Sequence, residues 1–284
     1  MTLSRPQAAA LLSDHGLSPR RTLGQNFVVD PNTVRRIARL ADTKAGDLVV
    51  EIGAGLGSLT AALAETGAHV VAVEVDRGIV PVLREQMVAW PNVEVHEADA
   101  MDLNWVEFIR TANVARGRDA DAGVHVVANL PYNIATPLVA DLLDHVPQVS
   151  HMLVMVQAEV GQRFCAAPGS DAYGAVSVKV AYWAQADIAG MVPATVFLPR
   201  PKVESALVRI VRRTTPAVAD IAPDQIFPLV RAAFAKRRKM LRSALAGVVT
   251  VEQMEVAGID PTARAEQLDI NDWGRLAHVV ALPS

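Results

Sequence analysis

The chain has 284 residues, of which 51% are hydrophobic and 20% are charged. This length and composition fit one large α/β domain with a small appendage, and they exclude wholesale disorder. No apolar run reaches the roughly 18–20 residues of a membrane helix, and the first residues lack a signal-peptide pattern. The single cysteine, Cys165, excludes an internal disulfide framework and a cysteine-cluster metal site. We therefore expect a soluble cytoplasmic protein.

Short β-branched runs alternate with helical patterns through the middle of the chain. We predict strands over 48–52, 69–75, 93–98, 124–130 and 151–157, and helices over 57–65, 77–88, 104–110 and 135–145. Near-continuous apolar strands separated by helices indicate a parallel sheet that is covered on both faces. The polar segment 111–123 is predicted to be an exposed loop.

The second half of the chain changes character near residue 214. Segments 174–183 and 205–213 are predicted to be two more strands, which would close the sheet edge as an antiparallel pair. After a linker at 214–225 the pattern is helical, over 225–235, 237–246, 251–257 and 271–281. We therefore predict an α/β domain over 1–214 and a small all-α domain over 215–284.

The strongest local motif is Val-Val-Glu-Ile-Gly-Ala-Gly-Leu-Gly-Ser-Leu-Thr at 49–60, where a buried strand enters a glycine-rich turn and then a helix. Glycines allow a tight turn and close approach of a ligand to the backbone. Glu74 ends the next strand, where a ribose diol would lie, and Asp99 follows the third strand, placed for an adenine amino group. Three such positions after three successive strands predict nucleoside binding.

The spacing G-x-G-x-G preceded by Glu51 resembles class I S-adenosylmethionine methyltransferases rather than dinucleotide enzymes with G-x-G-x-x-G. The resemblance implies a Rossmann-like, mostly parallel sheet. It also implies S-adenosylmethionine as the cofactor, S-adenosylhomocysteine as the product, and no metal. By this resemblance Gly53 accommodates the methionine part of the cofactor, Glu74 the ribose hydroxyls and Asp99 the adenine N6.

A second motif, Asn129-Leu130-Pro131-Tyr132, follows the fourth strand. It matches the motif of methyltransferases that act on adenine N6 and related exocyclic amines. The lone pair of such a nitrogen is delocalised, so acceptors that hold both N–H groups, the Asn129 side chain and the Leu130 carbonyl, would favour a pyramidal, nucleophilic nitrogen. Pro131 fixes the local backbone, and Tyr132 offers a face for a flipped-out base. Catalysis would then be mainly positioning.

Three further blocks resemble the family of rRNA adenine dimethyltransferases, most closely the bacterial members that modify the small subunit. The blocks are 23–28, 195–210 and 234–241, which occur in the family's order. The resemblance implies dimethylation of two adjacent adenines in a hairpin near the 3′ end of 16S rRNA, in an immature small subunit, by a monomer.

The same resemblance implies individual residue roles. Phe197 would stack on the target adenine opposite Tyr132, although a phenylalanine of the core is the alternative. The segment 111–123 looks like an insertion relative to the family. The implied cofactor contacts are Asn26, Val28, Gly53, Glu74, Asp99 and Asn129, with Val28 in place of the usual leucine.

Charge is distributed unevenly along the chain. Residues 1–199 hold 14 Lys/Arg against 21 Asp/Glu, whereas residues 200–245 hold 11 against 3. Such a local excess predicts contact with RNA phosphates, and a solvated basic surface is the alternative. The candidate side chains for a grip on RNA are Arg200, Lys202, Arg209, Arg212, Arg213, Arg231, Lys236, Arg237, Arg238, Lys239 and Arg242.

Two other functions fit the same motifs. One is a large-subunit rRNA methyltransferase of the macrolide-resistance type. The other is a nucleic-acid-binding factor in which catalysis is secondary. The complete Asn129–Tyr132 motif favours an active enzyme, and the run of residues after it favours the small subunit.

Overall fold

The computed structural model describes residues 2–218 and 220–281. The chain forms two compact units, Met1–Gly161 with Asp187–Val211, and Gln162–Ala186 with Arg212–Ser284. The chain crosses from the first unit to the second for the last time between Val211 and Arg212, close to the domain boundary that the sequence predicts at 214. Residues 162–186, which the sequence division places in the first domain, belong to the second unit, because Tyr173, Val178 and Tyr182 are buried in its apolar core.

We number strands and helices in chain order. The strands are β1 (Phe27–Val28), β2 (Leu48–Ile52), β3 (His69–Glu74), β4 (Val93–Glu97), β5 (Val124–Asn129), β6 (Val149–Gln157), β7 (Ala184–Val192), β8 (Phe197–Leu198) and β9 (Ser205–Arg212). The helices are α1 (Arg5–Asp14), α2 (Pro31–Leu40), α3 (Ser58–Ala64), α4 (Ile79–Met87), α5 (Trp105–Val114), α6 (Ala135–His145), α7 (Ala158–Phe164), α8 (Ala175–Trp183), α9 (Pro223–Ala235), α10 (Leu241–Ala244), α11 (Val251–Val256) and α12 (Ile270–Ala281).

The main sheet has the strand order β4-β3-β2-β5-β6-β9-β7. Strands β2 to β6 pair in parallel, and β9 runs antiparallel to β6. The predicted α/β class, with a mostly parallel sheet and antiparallel pairing towards one edge, is thus confirmed. From β2 the chain adds strands first on one side and later on the other, so β2 and β5 flank a topological switch point, where open α/β sheets bind ligands.

The central strands form because their sequences are β-branched and apolar on both faces. All five residues of β2 are buried, and so is every residue of α3. Helices α2 and α3 pack over this part of the sheet, with Val34, Ile37 and Leu63 in its core. Each such side chain contributes about 1.5–3 kcal/mol by leaving water. This rigid layer holds the ends of β2 and β5 in a fixed register.

Segment 174–183 is helical, so the predicted strand there was wrong. Its alternating valines are typical of a strand, but Val178 and Tyr182 are four residues apart and bury on one side of α8. The Ser177 hydroxyl accepts a hydrogen bond from the Gly174 N–H and caps the first turn. The edge strand beside β9 is β7 instead, which starts one residue after α8 ends.

Two other predicted segments differ from the structure. Helix α5 continues to Val114, so the first four residues of the predicted loop 111–123 are helical. Asn113 is fully buried there, and its amide donates to the Ala120 and Ala122 carbonyls. The predicted helix 237–246 is helical only at Leu241–Ala244, because α9 ends at Ala235 and a turn follows.

The second unit has an apolar core of its own. Trp273 of α12 is fully buried, and Phe227 of α9 and Leu245 pack in the same cluster. Helices α9 and α12 therefore form with their apolar faces in one shared core. Across 2–218 and 220–281, no helix combines the length and hydrophobicity needed to cross a lipid bilayer.

Candidate active site

The carboxyl ends of β2, β3, β4 and β5 surround a cavity in the first unit. Each strand contributes the residues just beyond its end, and the segment before β1 contributes a further wall. The lining residues are Leu23, Gly24, Gln25, Asn26, Phe27, Ile52, Gly53, Gly55, Val73, Glu74, Val75, Ala98, Asp99, Ala100, Asn129, Leu130, Pro131, Tyr132 and Ile134.

The glycine-rich turn after β2 forms the floor of this cavity. Gly53, Gly55 and Gly57 all have positive φ angles, of 74°, 56° and 82°. A Cβ on Gly55 would lie 3.0 Å from the Phe27 ring, so a larger residue at this position would be both strained and crowded. The turn thereby leaves backbone free to approach a ligand closely.

Glu74 is anchored at the end of β3 by backbone donors. Its Oε2 accepts a hydrogen bond from the Gly55 N–H at 2.8 Å, and its Oε1 accepts one from the Asp76 N–H at 2.9 Å. Burial raises the pKa of Glu74, and the two backbone N–H donors oppose that shift. The carboxylate thus has a fixed direction at the cavity wall.

Asp99 lies beyond β4 on an exposed part of the wall. Its Oδ1 accepts a hydrogen bond from the Met101 N–H at 2.9 Å, which holds the turn. The Trp105 indole N–H donates to the Ala100 carbonyl at 2.9 Å and fixes the same turn to α5. Asp99 therefore reaches the cavity from a firmly supported loop.

The Asn129–Tyr132 loop leaves β5 at the same edge of the sheet. The Asn129 Nδ2 donates to the Asn26 carbonyl at 2.8 Å, so the amide is oriented and its Oδ1 remains as an acceptor. The Leu130 N–H donates to the Met155 carbonyl at 3.1 Å, and Leu130 is buried. The Tyr132 hydroxyl lies 3.3 Å from the Ser205 hydroxyl. All of these residues except Met155 and Ser205 line the cavity.

Five of the six expected cofactor residues come together at this cavity: Asn26, Gly53, Glu74, Asp99 and Asn129. The sixth, Val28, lines a smaller neighbouring cavity. Phe197 is 1% exposed, and it packs in the core of the first unit rather than on the cavity wall. The structure thus brings Tyr132, but not Phe197, to the cavity wall.

Glu51 is a buried acid inside the apolar strand β2. It is 2% exposed and lines the smaller cavity together with Gly53 and Asn129. Burial raises its pKa to about 8, the neighbouring Thr60 hydroxyl lowers the pKa, and the Glu74 charge raises it. Within the described residues Oε2 of Glu51 has no hydrogen-bond partner. An acid in an otherwise apolar strand is the sequence signal for such a group.

The basic candidates are all exposed or partly exposed, but they differ in their partners. Arg237 pairs with Glu266 at 2.9 Å and donates to the Asp171 carbonyl at 2.6 Å, and Lys236 donates to the Ala244 carbonyl. These partners belong to the second unit. Residues 237–239, which the sequence places in a helix over 237–246, form part of a turn instead. In the described part of the chain no ion pair involves Arg200, Lys202, Arg231, Arg238, Lys239 or Arg242.

The described residues were also searched for side chains that could together bind a metal ion. No group of three or more His, Cys, Asp or Glu side chains could hold a metal ion within the described ranges.

Comparison with known proteins gives related sequences over nearly the whole chain. The family model for ribosomal RNA adenine dimethylase matches residues 16–282. A Cutibacterium acnes protein named ribosomal RNA small subunit methyltransferase A is 47% identical, over 98% of this chain and 95% of that protein.

Solved structures give the same fold. A dimethyladenosine transferase from Plasmodium falciparum is 24% identical, with a TM-score of 0.73 over 87% of this chain and 94% of that chain. The 23S rRNA methyltransferase ErmE is 22% identical, with a TM-score of 0.68 over 90% of this chain and 100% of that chain. At these identities the two structures support the architecture alone.

Proposed function

The chain belongs to the ribosomal RNA adenine dimethylase family, and from this we propose that it uses S-adenosylmethionine to dimethylate adenine N6 in small-subunit rRNA. The targets are two adjacent adenines in a hairpin near the 3′ end of 16S rRNA, within an immature subunit. The observation that carries the proposal is the meeting of the Asn129–Tyr132 loop with Gly53, Glu74 and Asp99 at one cavity.

The residues of the cavity fit S-adenosylmethionine. Glu74 offers anchored oxygens to a ribose diol, and Asp99 offers an acceptor to the adenine amino group. The glycine turn leaves room for the methionine part, and the unpartnered Glu51 Oε2 nearby can accept from an amino group. Asn26 and Asn129 complete the wall, with Val28 behind them. When bound, the cofactor supplies a methyl group that its sulfonium has already activated.

Asn129 and Leu130 act on the nucleophile. The Asn129 Nδ2 already donates to the Asn26 carbonyl. The Oδ1 of the same amide is therefore the atom that accepts a hydrogen bond from adenine N6. The Leu130 N–H donates to the Met155 carbonyl, which fixes the backbone at Leu130. The Leu130 carbonyl is then the second acceptor for adenine N6. Holding both N–H groups directs the nitrogen lone pair along the line of the first transfer. Each transfer releases one N6 proton, so a single N–H remains for one of the two acceptors in the second transfer.

Tyr132 and Pro131 position the base. Tyr132 provides an aromatic face on the cavity wall, and stacking of this kind is worth about 1–3 kcal/mol per base. Pro131 keeps the loop in a single backbone shape. A stacking role for Phe197 requires that its side chain leave the core in which it is buried.

RNA contact is assigned to the exposed basic side chains. Arg200 and Lys202 belong to the first unit, and Arg231, Lys236, Arg237, Arg238, Lys239 and Arg242 belong to the second. Phosphate contacts position an RNA, while the pocket and the RNA shape select the adenine.

The direct test is incubation with labelled S-adenosylmethionine and undermethylated small subunits, followed by nucleoside analysis. We expect N6,N6-dimethyladenosine at two adjacent positions in 16S rRNA. Primer extension on both rRNAs checks the alternative, because modification confined to the large subunit would contradict the proposal. Absence of any transfer with intact RNA binding would favour a binding factor.

A further inference from the structure

The segment between α1 and β1 closes one side of the cavity. Residues 23–26 lie on the cavity wall, and residues 21–23 form a single 3-10 turn. We call residues 20–26 the strap. The strap is fastened at two places, one beyond β3 and one beyond β5.

The first fastening is Asp76, which is 3% exposed and follows β3 by two residues. The Gln25 Nε2 donates to Asp76 Oδ2 at 2.8 Å, and the Arg20 guanidinium lies 3.2 Å from Oδ1. The Arg20 N–H donates to Gln25 Oε1 at 2.8 Å, which orients the Gln25 amide. A buried carboxylate thus receives two donors from the strap.

Asp76 is itself held in place by the site. Its backbone N–H donates to Glu74 Oε1, and its Oδ1 accepts from the Gly78 N–H at 2.9 Å. A connected set of hydrogen bonds therefore leads from the proposed ribose ligand, Glu74, through Asp76 to Gln25 of the strap.

The second fastening joins the strap to the Asn129–Tyr132 loop. The Asn26 carbonyl accepts the Asn129 amide, as described above. Gly24 has a φ of +64°, and a Cβ there would lie 3.1 Å from Pro131 Cβ. The strap can therefore approach the loop only with glycine at this position. Displacing the strap would remove the acceptor that orients Asn129.

We propose that Asp76 is a positioning residue that keeps the strap closed over the cofactor cavity. Because residues 23–26 form one wall of the cavity, loosening of the strap lets the cofactor leave faster, and the Asp76 contacts oppose that loosening. The same closure aligns the Asn129 amide, so cofactor retention and orientation of the nucleophile are coupled. This inference rests on the proposed function, because it takes S-adenosylmethionine as the occupant of the cavity.

The test compares the full-length protein with Asp76→Asn, Gln25→Ala and the control Arg77→Ala. Arg77 adjoins Asp76 but is exposed and pairs with Glu97. One measurement is the affinity and release rate of S-adenosylhomocysteine by calorimetry and stopped flow. The other is backbone hydrogen exchange of residues 20–26, compared with exchange in α4.

We expect Asp76→Asn and Gln25→Ala to weaken S-adenosylhomocysteine binding about tenfold, chiefly through faster release, since each removes charge-assisted contacts of the strap. Exchange in 20–26 should accelerate while exchange in α4 is unchanged, and Arg77→Ala should match the wild type in both measurements. Gln25→Ala changes only the strap side, so the test survives if Asp76→Asn folds poorly.

Two results would overturn the inference. One is unchanged exchange of the strap in both variants, even with weaker binding, because Asp76 would then act through Glu74 alone. The other is equal loss in Arg77→Ala. A wild-type protein that does not bind S-adenosylhomocysteine at all would instead contradict the proposed function.

Discussion

The proposed cofactor cavity and the exposed basic side chains at 231–242 of the second unit, here called the basic surface, differ in how firmly their polar side chains are held. In the cavity, the Glu74 carboxylate receives two backbone N–H groups, and the Asn129 amide is tied to a carbonyl. On the basic surface, Arg238 and Lys239 stand on an exposed turn. Substitutions in the cavity should therefore have large, local effects, whereas substitutions on the basic surface should have small effects spread over several residues.

Phe197→Ala should have the largest effect on stability, and it tests whether Phe197 belongs to the core or to the cavity wall. Phe197 is buried in the core, so truncation should lower the free energy of unfolding by about 3–5 kcal/mol. Urea denaturation of the free protein measures this change. Phe197→Leu, which keeps most of the volume, should recover much of the stability. If Phe197→Leu were stable but inactive, Phe197 would contact the base after all.

Asn129→Ala should abolish most turnover without a comparable loss of stability. By analogy with the loss of one preorganised hydrogen-bonding group, we expect kcat to fall about 10²–10³-fold. RNA binding should persist, as measured by filter binding. Single-turnover methyl transfer is the readout. Asn133→Ala in the same loop, an exposed side chain, is the matched control and should lose far less. Unchanged turnover in Asn129→Ala would remove Asn129 from the mechanism.

Glu51 gives the stability of the protein a pH dependence that an exposed acid would not give. Its folded pKa, about 8, lies above its ordinary 4.5, because burial favours the neutral form. This contribution to stability is fully present below pH 4.5 and is lost as the pH rises through 8. The free energy of unfolding of the cofactor-free protein should fall by up to about 1.4 kcal/mol per pH unit within that window.

Glu51→Gln should remove this slope, and thermal melting from pH 5 to pH 8 measures it. The exposed acid Glu65 gives the matched control, since Glu65→Gln should retain the slope of the wild type. A slope that is identical in Glu51→Gln and wild type would show that Glu51 does not titrate in this range.

The sequence predicts the cavity well because backbone register determines it. Once β2, β3 and β5 are parallel neighbours, Gly53, Glu74 and Asn129 must emerge at one edge of the sheet. The sequence does not predict where Phe197 points, since its pairing in β8 with β1 depends on contacts distant in the chain. The contacts of Asp76 with the strap could not be predicted from the sequence either, because they join residues about fifty positions apart.

Segments with two compatible patterns were the other source of error. The valines of 174–183 alternate as in a strand, yet burial of Tyr182 against the second unit's core selects a helix. The predicted helix over 237–246 was also wrong over most of its length, because residues 236–239 form a turn after α9 and only Leu241–Ala244 is helical. Composition indicates what a surface can bind, while packing decides the shape in which it is presented.

The smallest expected effect separates two neighbouring arginines. Arg238 has no ion pair within the described residues, so Arg238→Glu should weaken RNA binding about three- to tenfold at 0.1 M salt and reduce the salt dependence by about one phosphate contact. Arg237 is already paired with Glu266 and with a carbonyl, so Arg237→Glu should lower the melting temperature instead. Cofactor affinity should be unchanged in Arg238→Glu. If both variants lost RNA binding, cofactor binding and stability equally, the loss would reflect misfolding, and the basic turn would not be an RNA contact.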